Sequence, residues 1–352
     1  MDNNKSFMDK VKDSMSKFTT KVKDAFKEFW SNFKSLFQKG ESEKEQRRLS
    51  DKRHRVMVKI GIYTFLVVFA IIIIIPFYFM LITSLKDVDR IYEEIPPSLW
   101  VKFKDMMFIN YKASLENFDY FVYMKNTIIV ALFATVGTVV TTVLASFAFA
   151  RLNFKGRDLL FLGFLMTMMI PGEMFVITNY LTVSDLGLLG KEGGLFSGLI
   201  GADGAQSALQ ANIALIAPFM TSVFYIFFLR QAFKQIPDEL YLAAKVDGTS
   251  DFKYLRRVMV PIAAPTIITI TILNMMGTWS AFIWPNLVAD NEKYRLITNG
   301  LRKAFSVVGT GERPAFNLQM AAAMLVTLPL LVVFFLLKKY IMRGVSRSGI
   351  KG

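Results

Sequence analysis

The chain has 352 residues, of which 53% are hydrophobic, with 33 phenylalanines, no cysteine, one histidine and a formal net charge of +14. Apolar residues gathered in long unbroken runs exclude an ordinary soluble domain and point to a bilayer. The lack of cysteine excludes disulfides and thiolate metal sites. The lone histidine, His54, sits in the basic run RRLSDKRHR, so no catalytic triad or histidine-based metal hydrolase is supplied, and no G-x-x-x-x-G-K-S/T phosphate loop occurs.

Residues 1–55 form a hydrophilic extension. Phe7, Val11, Met15, Phe18, Val22, Phe26, Phe29, Phe33 and Phe37 recur every three or four positions among lysines, which predicts a helix with one apolar and one basic face. Two readings of it stand: a helix lying on an anionic leaflet of the membrane, or one packing on a partner. Residues 40–55 read as a charged linker. Residues 56–352 then form the membrane domain.

The first span, about 56–85, contains the run Ile71 to Ile75 and exceeds the roughly twenty residues needed to cross hydrocarbon. Residues 86–125 read as an outside loop with short helices. The second span, about 126–149, is rich in Thr, Ala and Gly, which predicts close helix packing inside a bundle. After the basic turn Arg151 to Arg157, the third span, about 159–183, carries Pro171, Gly172 and the intramembrane carboxylate Glu173. A charge at that depth is costly, so Glu173 either faces the substrate pathway or is hydrogen-bonded for structure. Residues 184–210 form a Gly-rich outside loop, open to contact with a partner or unengaged, and the fourth span covers about 211–233.

The stretch Gln235 to Pro261 is a polar island between apolar runs. Pro237 suits a first helical position, Asp238 and Glu239 suit the positive helix end, Lys245 the last turn, and Gly248 a left-handed stop. This predicts a helix of about two turns, then a second helix capped by Thr249 or Ser250 and ended by Pro261. A soluble helix-turn-helix reading DNA has the same size, but the flanking spans exclude it. The fifth span, about 262–289, carries Asn274, Trp279, Trp284 and Pro285. The sixth covers about 318–337, and the basic tail ends Gly349-Ile350-Lys351-Gly352. The extra Lys and Arg thus crowd alternate loops, the positive-inside pattern of a multi-pass protein with both termini cytoplasmic, not a nucleic-acid footprint.

Ala243, Ala244, Asp247, Gly248, Phe252 and Pro261 resemble the EAA loop of ATP-binding cassette importer permeases, in which the motif's Glu is here Leu242. The pieces SLK at Ser84, NY at Asn110 and Tyr111, and Asn126-Thr127 resemble the same family. The stretch Trp279, Phe282, Trp284, Pro285 and the C-terminal tail are similar to the second permease subunit of the maltose group. The resemblance covers about residue 57 to the end. It implies an all-α membrane protein with six transmembrane helices of the type I importer permease fold, in a bacterial cytoplasmic membrane. It further implies that Leu240, Leu242, Ala243, Ala244, Asp247, Gly248 and Phe252 couple to a cytoplasmic ATPase, and that ATP and Mg are bound by two partner ATPase subunits rather than by this chain, which is no enzyme itself. The other implied partners are a second, related but different permease and an extracytoplasmic solute-binding protein. Carbohydrate, an oligosaccharide in particular, is the implied substrate, because aromatic rings stack on sugar C–H faces. Glu173, Asn274, Trp279 and Trp284 are then the candidate pathway residues, with Trp279 better placed for a cavity and Trp284 equally suited to the interfacial aromatic belt. Two other readings are a membrane scaffold that recruits partners through its basic surfaces, and a permease for a phosphate ester or peptide.

Overall fold

Where hydrophobic runs reach bilayer length, backbone N–H and C=O groups must pair within the segment, and helix is the result. The computed structural model describes residues 43–346 except 118, 191–193, 200–204, 290 and 305–313, together with residues 16, 20, 23, 24 and 27. Residues 16, 20, 23, 24 and 27 are helical, but the apolar positions of the expected N-terminal helix and the tail Gly349 to Gly352 lie outside the described residues. The chain divides into two units, Met1–Phe79 and Met80–Gly352.

Among its described residues the first unit is chiefly helix α1, Glu43–Ser84, which runs on into the second. Residues 43–55, expected as a linker, are helical. EKEQRRLSDKRHR contains neither Gly nor Pro and is dominated by good helix formers, so nothing stops the helix before the apolar run.

In the second unit the helices are α2 Val88–Glu93, α3 Ile109–Asn117, α4 Tyr120–Arg151, α5 Arg157–Thr167, α6 Gly172–Asp185, α7 Ala208–Phe219, α8 Val223–Lys234, α9 Asp238–Val246, α10 Asp251–Ile262, α11 Ala264–Trp279, α12 Ile283–Val288, α13 Ile297–Ala304 and α14 Phe316–Ser346. Among the described residues, three stretches are long and apolar enough to cross a membrane unbroken: His54–Ser84, Tyr120–Arg151 and Phe316–Leu336. Three more arise only as bent pairs: α5 with α6 at 83°, α7 with α8 at 50°, and α10 with α11 at 80°.

The expected third, fourth and fifth spans are therefore broken. Pro171 and Gly172 interrupt the third, and Pro218 lies in the 3-10 turn that ends α7. In the fifth, the hairpin's second arm passes Pro261, reaches Ile262 through a π turn at Leu255–Met259, and bends at Ala263 before Pro265. Pro171, Pro218 and Pro265 each lack an N–H at or beside a bend, where the helix ladder is easiest to interrupt, whereas the helix passes Pro261.

Helix α4 packs mainly on α8 and α11. Its small residues do more than permit approach. Thr138 Oγ1 donates to the Phe219 carbonyl at 2.7 Å, Thr141 Oγ1 to Met220 at 2.6 Å, and Ser146 Oγ to Ile226 at 2.9 Å. Phe219 and Met220 lie at the α7–α8 break, so these hydroxyls pair carbonyls that the bend releases. Thr138→Val with Thr141→Val removes both donors, and a carbonyl left unpaired where water does not reach it costs about 1–3 kcal/mol. A clear drop in melting temperature in detergent is expected; an unchanged melting temperature means that the hydroxyls do not hold the break.

The SLK, NY and Asn-Thr pieces turn out to be latches. Asn110 Nδ2 donates to the carbonyls of Ser84 and Lys86 at 2.9 and 2.8 Å, and Ser84 Oγ lies 2.8 Å from Tyr111 Oη. Asn126 Nδ2 donates to the Lys293 carbonyl at 2.7 Å, and Thr127 Oγ1 accepts from the Ile297 N–H at 2.8 Å. Lys86, almost fully buried, reaches Glu94 at 2.5 Å and the Ser98 carbonyl at 2.9 Å. Glu94 also accepts from Arg90 and from the Ser98 N–H.

The Lys86 bond, with help from Ser98 and Arg90, holds the Glu94 carboxyl well below its ordinary value of 4.5. The carboxylate is stabilised in the fold, so its contribution is complete well above pH 4.5 and is lost progressively as pH falls from there toward the much lower folded-state value. The protection of amides across residues 86–98, taken relative to their intrinsic exchange rates at each pH, is expected to fall on acidification below that point in the wild type but not in Glu94→Gln. Equal acid sensitivity in both would assign the loosening to another group.

Candidate functional site

The polar hairpin Gln235 to Pro261 has a fixed base and a free tip. Helix α9 has 9 residues, about two and a half turns. Pro237 stands just before it at the N-cap position rather than inside it, Asp238 and Glu239 occupy its first turn, and Lys245 its last. Gly248 takes the left-handed conformation with φ +68°. The Thr249 N–H bonds the Ala244 carbonyl at 2.8 Å and the Gly248 N–H bonds Lys245 at 3.0 Å, the paired bonds of a Schellman stop. Ser250 precedes α10 as its N-cap residue without a side-chain cap bond.

At the base, Arg151, the last residue of α4, points its guanidinium at the hairpin. It bonds the carbonyls of Phe233, at 3.0 Å, and of Ile236, and pairs with Asp238. These carbonyls close α8, so one cation serves a helix C-terminus, where positive charge is favoured, and the first turn of α9. Below them Phe147, Leu229, Phe233, Tyr254, Leu255 and Met259 form one buried core.

The two arms are tied to each other as well. Tyr241 Oη donates to Asp251 Oδ1 at 2.7 Å, Lys245 Nζ reaches the same oxygen at 2.6 Å and lies 5.3 Å from the Tyr241 ring centre. The Tyr241 and Tyr254 rings sit 5.1 Å apart. The Asp251 bond raises the Lys245 pKa, and burial raises that of Tyr241. Both groups therefore hold their protons at neutral pH.

The tip carries the opposite character. Leu240, Leu242, Val246 and Phe252 are exposed, Val246 by 88% and Leu242 by 61%, as are Ala243, Asp247 and Gly248, with Ala244 half-buried. A hairpin braced this firmly while presenting apolar side chains has the form of a docking element. Arg151, Tyr241, Asp251 and Tyr254 were not singled out from sequence. The Tyr241–Lys245 spacing of one helical turn and an arginine closing an apolar run were the available signals.

The pathway candidates separate. A cavity of about 210 Å³ lies where α11 breaks, walled among others by Val130, Phe219, Asn274, Thr278 and Trp284. Asn274 Nδ2 lies 3.3 Å from Thr135 Oγ1. The Trp284 indole is buried, donates its N–H to the Ala214 carbonyl at 3.0 Å and meets the Phe219 ring edge-on at 5.7 Å. That is a wall position, whereas a belt tryptophan turns its N–H toward headgroups. Trp279 is also buried but does not line this cavity. Glu173 is exposed, in the 3-10 turn that opens α6 just past the α5–α6 break.

The Gly-rich loop, residues 184–210, is tied down over its described part. Gln206 Nε2 donates to the Leu188 and Val288 carbonyls at 2.8 and 3.0 Å, and Gln210 Nε2 to those of Gly187 and Phe196 at 2.7 and 3.0 Å. The loop thereby anchors α12, which carries Trp284.

Residues 137–347, more than half of the chain, match the family described as binding-protein-dependent transport system inner membrane component. The chain is 25% identical over 295 residues to the arabinooligosaccharides transport system permease protein AraQ of Bacillus subtilis (strain 168), covering 84% of this chain and 96% of that one. It is 26% identical over 312 residues to the sn-glycerol-3-phosphate transport system permease protein UgpE of Rhizobium meliloti (strain 1021), covering 86% and 99%. In fold it is similar to a chain of a bacterial ABC transporter involved in the import of the acidic polysaccharide alginate, with a TM-score of 0.68 at 20% identity, covering 82% of this chain and 98% of that one.

Proposed function

Since the chain belongs to the binding-protein-dependent transport system inner membrane components, we propose that it is one permease half of an ATP-driven importer of carbohydrate, an oligosaccharide in particular. Its relatives are permease subunits, which translocate and leave hydrolysis to other chains. The partners proposed are a second, related but different permease, two cytoplasmic ATPase subunits that bind ATP and Mg, and an extracytoplasmic solute-binding protein. The positive-inside distribution supports a cytoplasmic side for the hairpin, the Arg151 to Arg157 turn and both termini.

The observation that carries this reading is the hairpin itself, an apolar exposed tip on a base locked by Arg151. An ATPase that grips Leu242, Val246 and Phe252 moves α9 and α10 as one piece. Helix α10 continues through the Ala263 bend into α11, and α11 carries Asn274 into the cavity wall. Closure of the ATPases thus shifts the bundle between two packed states.

The cavity favours a neutral solute. Among the described residues no Lys or Arg lines it, so a phosphate ester finds no paired cation there, whereas Asn274, Thr278 and the indole of Trp284 suit hydroxyls and sugar C–H faces. At about 210 Å³ it falls below the ~300–1,000 Å³ of a drug-sized ligand site, so the second permease completes the path. The exposed Glu173, too costly to leave against lipid, faces that path or that partner.

The test is uptake by the assembled complex in vesicles, with binding protein loaded with oligosaccharide or with glycerol 3-phosphate. ATP-dependent accumulation of the oligosaccharide alone is expected. Accumulation of the phosphate ester alone would replace the sugar reading by the one that the UgpE similarity offers.

A further inference from the structure

The outer segment between α2 and α3 has a composition and depth that the transport cycle does not explain. Leu99, Trp100, Phe103, Phe108 and Ile109 are all exposed, Trp100 by 68% and Phe103 by 80%. Phe103 and Phe108 meet edge-on at 6.5 Å, so they form one patch. Lys102 and Lys104 are exposed beside it.

The patch is held in place. Val101, between Trp100 and Lys102, is fully buried. The bonds among Lys86, Glu94 and Ser98 close the segment on one side, and the Met107 N–H bonds the Leu85 carbonyl at 2.8 Å on the other. Its depth follows from α3, which Phe108 and Ile109 lead into. Ser114 Oγ donates to the Leu318 carbonyl at 2.8 Å and Asn317 Nδ2 to Asn110 Oδ1 at 3.3 Å. The membrane-length stretch of α14 begins at Phe316. At a rise of 1.5 Å per residue, Leu318 lies about 3 Å from that start. Helix α3 is therefore tied to the first turn of α14, at one end of that apolar stretch.

We infer that residues 99–109 are a lipid-surface anchor, seating Trp100, Phe103 and Phe108 in the interface of the leaflet at the Ser84 end of α1, with Lys102 and Lys104 toward the lipid phosphates. Aromatic rings with an apolar body favour this layer, and lysine stems cover apolar surface while their ammonium groups reach the headgroups. A rigid mount fits the purpose. It fixes the depth of the outer ends of α4 and α14, against which the broken spans move. The inference rests on membrane residence alone and is independent of the solute carried.

A chain without cysteine permits a direct test. Phe103→Cys, at a site with little packing to lose, is labelled with a nitroxide in the assembled complex in nanodiscs of phosphatidylethanolamine and phosphatidylglycerol. Its collisions with oxygen, which concentrates in lipid, are compared with those of a water-soluble nickel chelate. Oxygen collisions are expected to dominate. Dominant nickel collisions would place the patch in water, and protection from both reagents would place it under another protein; either result overturns the anchor. In the unlabelled protein, lipids brominated near the glycerol backbone are expected to quench a fluorescence component that Trp100→Phe removes. Equal quenching of the two proteins would also overturn it.

Discussion

Gly248→Trp is expected to reach the membrane normally, yet to lose transport and the rise in ATP hydrolysis that loaded binding protein normally causes. Gly248 sits at φ +68° with nothing within 4 Å of the position a Cβ would take. A side chain there costs only the left-handed strain, ~1–2 kcal/mol, and the hairpin core beneath it is untouched. The indole instead projects from the exposed turn proposed to enter the ATPase, where steric exclusion would forfeit most of the contact. Gly248→Ala carries the same backbone strain with little bulk and is expected to keep most transport. Assay in reconstituted vesicles separates the two effects. Stimulation by binding protein that remains normal in Gly248→Trp would remove the hairpin from the coupling path, and equal losses in both variants would assign the effect to the backbone.

Val246→Asp and Leu242→Glu are expected to shed the ATPase subunits while leaving the permease folded. Exposed side chains change stability by roughly 0.5 kcal/mol or less when replaced. At the centre of an interface, truncating or charging the same side chain costs ~2 kcal/mol or more, about a thirtyfold loss of affinity. Leu242 is the sharper case, because the motif that the hairpin resembles has Glu at this position. A leucine there calls for an apolar counter-face on the ATPase, and a carboxylate would be desolvated without a partner. Co-purification in detergent reads the outcome, with thermal unfolding as the control for folding. Tighter ATPase retention by Leu242→Glu would reveal a waiting cation and reverse the assignment of that face.

Much of the fold was legible in the sequence, and for stated reasons. Residues such as Ile71 to Ile75 can serve only a hydrocarbon surface, so helices of spanning length were readable from composition. The hairpin was readable because Asp238, Lys245 and Gly248 each occupy the position that helix-end electrostatics and the left-handed stop prefer. The bends were not readable. Pro171, Pro218 and Pro261 mark places where helix can fail, but whether it kinks, passes or breaks depends on who pairs the freed carbonyls. At the α7–α8 break those partners are Thr138 and Thr141, 81 and 79 residues from the carbonyls they serve, and their Thr-rich run read only as close packing. Arg151 hid in the same way, its charge accounted for by topology while its geometry serves the hairpin base. The cavity wall depended on tertiary placement too, since Trp279 and Trp284 are both buried and, of the two, Trp284 faces the space beside Asn274.

Crosslinking at Val246 tests the docking role of the hairpin most directly. The chain contains no cysteine, so Val246→Cys offers a single reactive thiol at a highly exposed apolar position of the tip. In the complex purified from its native host, a short bifunctional reagent is expected to join this thiol to an ATPase subunit, with loss of the adduct when ATPase-free permease is treated. Full modification of the introduced thiol with no ATPase adduct, in a complex that still transports, would contradict the assignment of Gln235 to Pro261 as the element through which hydrolysis moves the bundle.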